Sequence, residues 1–178
     1  MADRRHSRGL LDTSVIIDLE QIEPAHLPIE CAVSVMTMAE LAAGPHATTD
    51  PLERARRQDR LQRAEATFEP LPVDANVARA YGRVYAAVAN AGRKARVRRA
   101  VDLFIAATAV AADLPLYTRN VEDFAGLRSA RDHDRLNQAT FVVFVPFVAN
   151  PSRSLRGYAG TNVKRRARGP REFRGFRG

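Results

Sequence analysis

Four acidic residues stand where they could act together. Asp12 ends the short apolar run Gly9-Leu10-Leu11-Asp12, Glu40 lies one turn into the helix that follows a second apolar run, Asp102 opens an apolar helix, and Asp123 follows the loop after a last short strand. Open parallel sheets bind ligands outside the carboxyl ends of their strands, and three of these acids fall where a strand hands over to a helix or loop. Carboxylates gathered there would repel and raise one another's pKa unless a divalent cation neutralised them. All-oxygen ligation without His or Cys suits Mg2+ or Mn2+ rather than Zn2+, and such an ion keeps waters and completes its shell with substrate phosphate. The chemistry expected of that arrangement is phosphodiester hydrolysis. Taken singly, each acid has an ordinary reading: Asp12 and Asp102 as helix N-caps, Glu40 as an exposed helix acid, Asp123 as a turn acid. Only their joint occurrence points to a metal. A phosphatase with Asp12 as nucleophile is disfavoured, because Ser14 stands where a second Asp is expected.

The elements that must position these acids alternate between short apolar strands and helices. Leu10 and Leu11 run into Asp12-Thr13-Ser14, a cluster of N-cap types, followed by Val15, Ile16 and Leu19 at helical spacing. The same shape recurs with Cys31–Val35 as a strand and a helix from Thr37 to Ala43, stopped by Gly44-Pro45. Residues 51–66 predict an exposed, Arg-rich helix, and Phe68–Val73 a third strand interrupted by prolines. Asp74 caps an amphipathic helix on which Val77, Ala80, Tyr81, Val84, Tyr85 and Val88 form one face. A basic loop, 91–99, precedes a helix over 101–112 that is apolar almost all round, and Leu114–Tyr117 is a brief strand after it. Helices alternating with such strands predict an α/β fold: a short parallel sheet flanked by helices on both faces.

Composition narrows the class. The chain has 178 residues and a formal net charge of +8, but the charge is uneven: residues 1–127 hold 16 Arg and Lys against 17 Asp and Glu, and residues 128–178 hold 12 against 3. The high overall pI therefore describes the tail and not the body. Within the body, Arg93, Lys94, Arg96, Arg98 and Arg99 are five cations in seven residues, either a solvated loop or a contact for a polyanion. Cys31 is the only cysteine, so no intramolecular disulfide is expected, and its apolar neighbours suggest an inert thiol in a reducing cytoplasm. The most apolar stretches, 103–112 and 141–149, fall short of the roughly 20 residues a membrane-spanning helix needs, and the basic N-terminus lacks the apolar region of an export signal.

Four segments in order, Leu11-Asp12-Thr13-Ser14-Val15-Ile16-Ile17-Asp18, Ser34-Val35-Met36-Thr37-Met38-Ala39-Glu40-Leu41, Arg99-Ala100-Val101-Asp102-Leu103-Phe104-Ile105-Ala106-Ala107-Thr108-Ala109 and Thr118-Arg119-Asn120-Val121-Glu122-Asp123-Phe124, resemble the PIN domain, and most closely the VapC-type toxins of bacterial toxin–antitoxin pairs. The resemblance spans residues 9–127. It implies a metal-dependent endoribonuclease in which Asp12, Glu40, Asp102 and Asp123 bind Mg2+ or Mn2+, with the last acid falling at the Asn120 or the Asp123 position. Thr13, Ser14 and Thr118 match polar positions that support the acidic pocket. Arg93 to Arg99 lead directly to Asp102, which would put cations for RNA phosphates beside the metals. The resemblance further implies a small VapB-type antitoxin as partner, and dimerisation of the toxin through its helices.

The likeness ends near Leu127, where the family adds one more short strand. Residues 128–140 do not supply it, although Phe141–Phe144 could do so after a longer loop, and the Arg- and Gly-rich residues beyond Ala149 have no counterpart. Residues 128–178 are thus expected to be a basic, largely irregular extension. It has two readings: an Arg-rich RNA-binding tail whose Arg-Gly units contact phosphate and stack on bases, or a shifted or read-through C-terminus. Two other functions compete with the toxin: a catalytically silent RNA- or protein-binding module, against which the complete set of acids argues, and a PIN-like nuclease of RNA maturation.

Overall fold

The structure, a computed structural model, describes residues 6–90, 97–124 and 142–144. Its centre is a parallel sheet in which β1 (Arg8–Leu11) pairs with β2 (Glu30–Ala32) on one side and β3 (Leu116–Thr118) on the other, and β3 pairs with β4 (Val142–Phe144), giving the order β2-β1-β3-β4. The chain leaves β1 in one direction to reach β2 and returns on the other side to form β3. The sheet's switch point therefore lies between the carboxyl ends of β1 and β3, the place where open α/β sheets take their ligands.

Strand side chains alternate between two apolar layers, as a sheet covered on both faces requires. Leu10, Ala32 and Leu116 point into a layer with Val77, Ala80, Val84 and Val88 of α4 (Ala75–Asn90) and Leu103, Ile105 and Ala109 of α5 (Val97–Ala111). Leu11, Val33 and Tyr117 point the other way, against Val15 and Ile16 of α1 (Thr13–Ile17), Leu41 of α2 (Val35–Ala43) and Leu61 and Ala64 of α3 (Pro51–Thr67). The expected helices on both faces are present.

Several local expectations are corrected. Phe68–Val73 is not a strand of the sheet: Leu71 alone makes a bridge, donating its N–H to the Val33 carbonyl at 2.8 Å and accepting from Val35 at 2.9 Å. Pro70 and Pro72 flank it and have no N–H with which to extend the ladder. The second helix begins at Val35 rather than Thr37, because the Ser34 hydroxyl accepts the Thr37 N–H at 3.0 Å and turns the chain out of β2. Helix α5 begins at Val97, so Asp102 sits in its second turn and does not cap it. Arg98, Arg99 and Ala100 are good helix formers, and no Gly, Pro or capping residue interrupts them. On α4, Tyr85 is exposed and Tyr81 half-buried, and Tyr81 stacks on Phe104 of α5 with centroids 4.2 Å apart. Asp74 caps α4 as expected, accepting the Val77 N–H at 2.9 Å, and α3 presents an exposed face laced by ion pairs such as Arg57–Glu53 at 2.8 Å.

Gly9 has no room for a side chain: a Cβ there would overlap Cε2 of Tyr117, whose ring is buried and whose hydroxyl is tied to His6 Nδ1 at 2.9 Å. Burial pushes the Cys31 thiol up to about 11, aided by the nearby Glu30 carboxylate, which keeps it protonated and unreactive at neutral pH, as its apolar neighbours suggest. No helix among the described residues is long and apolar enough to cross a membrane.

Candidate active site at the switch point

The central feature is a buried carboxylate. Asp12 follows β1 directly and is only 5% exposed. Its backbone N–H is drawn to the Tyr117 carbonyl at 2.9 Å, which extends the β1–β3 pairing to the point where both strands end. It occupies the N-cap position of α1, yet its side chain makes no capping hydrogen bond. Instead Oδ2 accepts the Ser14 hydroxyl at 2.7 Å and the Thr118 hydroxyl at 2.8 Å. The capping reading of Asp12 is therefore set aside. Both of these bonds reach Oδ2, and Oδ1 has no hydrogen-bond partner among the described residues.

These hydroxyls are themselves held. The Ser14 oxygen accepts the Arg119 backbone N–H at 3.1 Å, and the Thr118 oxygen accepts that of Asn120 at 3.0 Å. With a lone pair so engaged, each hydroxyl is directed to donate to Asp12, which orients the carboxylate. Next in sequence, Thr13 donates its hydroxyl to Oε2 of Glu40 on α2. Neighbouring residues 12 and 13 thus link two carboxylates, one from the end of β1 and one from a packed helix.

The other expected residues are less closely joined. Asp102 is partly exposed in the second turn of α5. Asp123 lies in the 3-10 turn Val121–Phe124, donating its backbone N–H to the Asn120 carbonyl at 3.1 Å, and lines a cleft with Arg119, Asn120, Val121 and Glu122. Asn120 contributes through its backbone. Among the described residues, no three His, Cys, Asp or Glu side chains form a ready-made cage for an ion. Arg98 and Arg99 belong to the first turn of α5; Arg93, Lys94 and Arg96 lie outside the described residues, as does the extension 128–178 apart from β4.

Two site residues were not singled out from the sequence. Asp18, which follows α1, forms an ion pair with Arg119, each side chain about a quarter exposed. Both lie inside recognisable segments, but nothing in their spacing indicates that residues about a hundred positions apart meet.

The sequence pattern of the PIN domain matches residues 9–128. Ribonuclease VapC5 of Mycobacterium tuberculosis is 40% identical over 125 residues, which are 68% of this chain and 89% of that protein. In the crystal structure of VapBC-5 from the same organism, a member of the VapBC family of toxin–antitoxin systems, the matched chain is 36% identical and superposes with a TM-score of 0.64, over 78% of this chain and 99% of that one. FitAcB from Neisseria gonorrhoeae superposes with a TM-score of 0.54 at 27% identity, over 67% and 92% of the two chains.

Proposed function

Because the chain belongs to the PIN-domain family, we propose that its switch-point carboxylates serve a metal-dependent endoribonuclease, the VapC-type toxin of a type II toxin–antitoxin pair. The observation that carries this reading is the Asp12 carboxylate, buried at the joined ends of β1 and β3 with two hydroxyls on one oxygen and the other oxygen open.

The donors at this site are carboxylate and hydroxyl oxygens, the hard set that suits Mg2+ or Mn2+. Mg2+ is commonly held by one or two carboxylates, with water and substrate phosphate completing its shell, so a cage of three protein ligands is not required. In this reading Asp12, Glu40, Asp102 and Asp123 would hold it, Asp12 and Glu40 being joined through neighbouring residues 12 and 13. A bound divalent cation supplies polarisation of the scissile phosphodiester and a readily deprotonated water. The chain's own contribution is position. Ser14 and Thr118 fix which oxygen of Asp12 is presented, Thr13 fixes Glu40, and Arg93, Lys94, Arg96, Arg98 and Arg99 contact RNA phosphates.

In this reading residues 9–127 are the nuclease body, closed by the strand at 142–144, and 128–178 form a basic extension. The partners are RNA, a VapB-type antitoxin and a second copy of the toxin, in a reducing cytoplasm suited to the free thiol of Cys31.

Purified, antitoxin-free protein is expected to cut total cellular RNA into discrete fragments with Mg2+ or Mn2+, to stop in EDTA, and to resume when either ion is returned in excess. Intact RNA under all conditions, with folded protein, would overturn the reading. Ser14→Ala and Thr118→Val each remove one donor to Asp12 while sparing its charge. Each is expected to slow cleavage by roughly 10- to 100-fold, the usual effect of losing a group that orients a metal ligand, as read by single-turnover rates.

A further inference from the structure

We propose that Arg119 and Asp18 act together as a positioning pair for the Asp12 carboxylate; the inference rests on the ribonuclease reading for its catalytic consequence and on geometry for its structural one. Arg119 meets α1 at both ends. Its backbone N–H donates to Ser14 Oγ at 3.1 Å, which in turn donates to Asp12 at 2.7 Å, and its guanidinium pairs with Asp18, the residue that follows the last turn of α1. A helix of five residues cannot hold itself, so its orientation is set by what grips it. An acid at the C-terminal end of a helix is opposed by the helix dipole, and pairing with Arg119 offsets that cost.

The flanking residues make the grip consequential. Thr118, the last residue of β3, donates to Asp12, and the Asn120 N–H donates to Thr118, so three consecutive residues at the end of β3 converge on one carboxylate. The Arg119 side chain is the member of this turn that spans to the far end of α1. It adds a charged tie to the apolar contact of Tyr117 with Val15 and Ile16, and its loss loosens the angles of the hydroxyls on Asp12. Being engaged with Asp18, Arg119 differs in role from the cations that precede Asp102: it positions a ligand and does not bind substrate.

Asp18→Asn, Arg119→Met and the double variant separate these roles. Each single variant is expected to lower kcat for RNA cleavage by about 10- to 100-fold with KM within about twofold of wild type, and the double variant to be no slower than the singles, since both remove one interaction. The exchanged pair Asp18→Arg with Arg119→Asp is expected to recover part of the loss. Hydrogen exchange on metal-free protein gives a second readout. In Asp18→Asn the Arg119 and Asn120 amides should exchange roughly three- to tenfold faster, while those of α4 and α5 are unchanged. A rise in KM for Arg119→Met alone would make Arg119 a substrate contact and overturn the proposal, as would wild-type kcat and exchange in Asp18→Asn. Wild-type protein that cuts no RNA, with the exchange effect still present in Asp18→Asn, would overturn the ribonuclease reading and leave the pair standing.

Discussion

Asp12→Asn is expected to lower RNA cleavage by about 10³-fold while leaving the fold intact. Asparagine has the shape of aspartate, and its amide oxygen can accept the Ser14 and Thr118 hydroxyls that now reach Oδ2 at 2.7 and 2.8 Å. What it lacks is the charge, and the oxygen that takes no hydroxyl is replaced by an NH2 group that cannot ligate a cation. Stabilisation by a bound metal is worth several kcal/mol in the transition state, and a loss of about 4 kcal/mol corresponds to that rate. The effect should exceed that of Ser14→Ala or Thr118→Val, which misorient the carboxylate without removing it. Single-turnover cleavage at saturating Mn2+, with thermal melting as the control for folding, measures it. An Asp12→Asn protein within tenfold of wild type would mean that the reaction is performed elsewhere on the molecule.

The largest stability loss is expected from Phe124→Ala. Phe124 is among the largest fully buried side chains, at 1% exposure, in the apolar layer shared with α4 and α5. Removing a buried ring leaves a cavity that the surrounding helices cannot close, at a cost of about 3–5 kcal/mol, which lowers Tm by roughly 10 °C in a domain of this size. Leu52→Ala, at a residue 60% exposed, should change Tm little. Since Phe124 ends the turn that carries Asp123 and lies six residues beyond Thr118, the variant should also lose cleavage activity below its own melting point. Melting and activity measured over the same temperatures would show that loss; activity that tracks the folded fraction alone would contradict it.

How much of this was legible in the sequence follows from which interactions are local. The strands at Leu10-Leu11 and Leu116-Tyr117, the amphipathic face of α4 and the buried face of α5 are written in short-range periodicity, which is why they are found in place. Element ends depend on single caps. The Ser34 hydroxyl starts α2 two residues early, and the absence of any break before Ala100 lets α5 begin at Val97 and carries Asp102 away from the cap position. Phe68–Val73 has the composition of a strand, but Pro70 and Pro72 remove the donors a ladder needs. At the site, the residue types at Asp12, Glu40, Ser14 and Thr118 were visible. The direction of each hydrogen bond was not, nor was the meeting of Asp18 with Arg119, because both depend on the register that brings β1 against β3.

That register separates the parts of the site by most of the chain. Asp12 and the Thr118 hydroxyl that steadies it are 106 positions apart, and β3 must be in place before either can meet the other. Chains emerge from the ribosome N-terminus first, at about 5–20 residues per second. The acid is therefore made seconds before the turn that orients it, and contacts so distant in sequence form late because closing the intervening loop is entropically costly. A chain that ends before Thr118 carries Asp12 without one of the two hydroxyls that orient it. Translation itself thus sets the earliest moment at which this protein can cut.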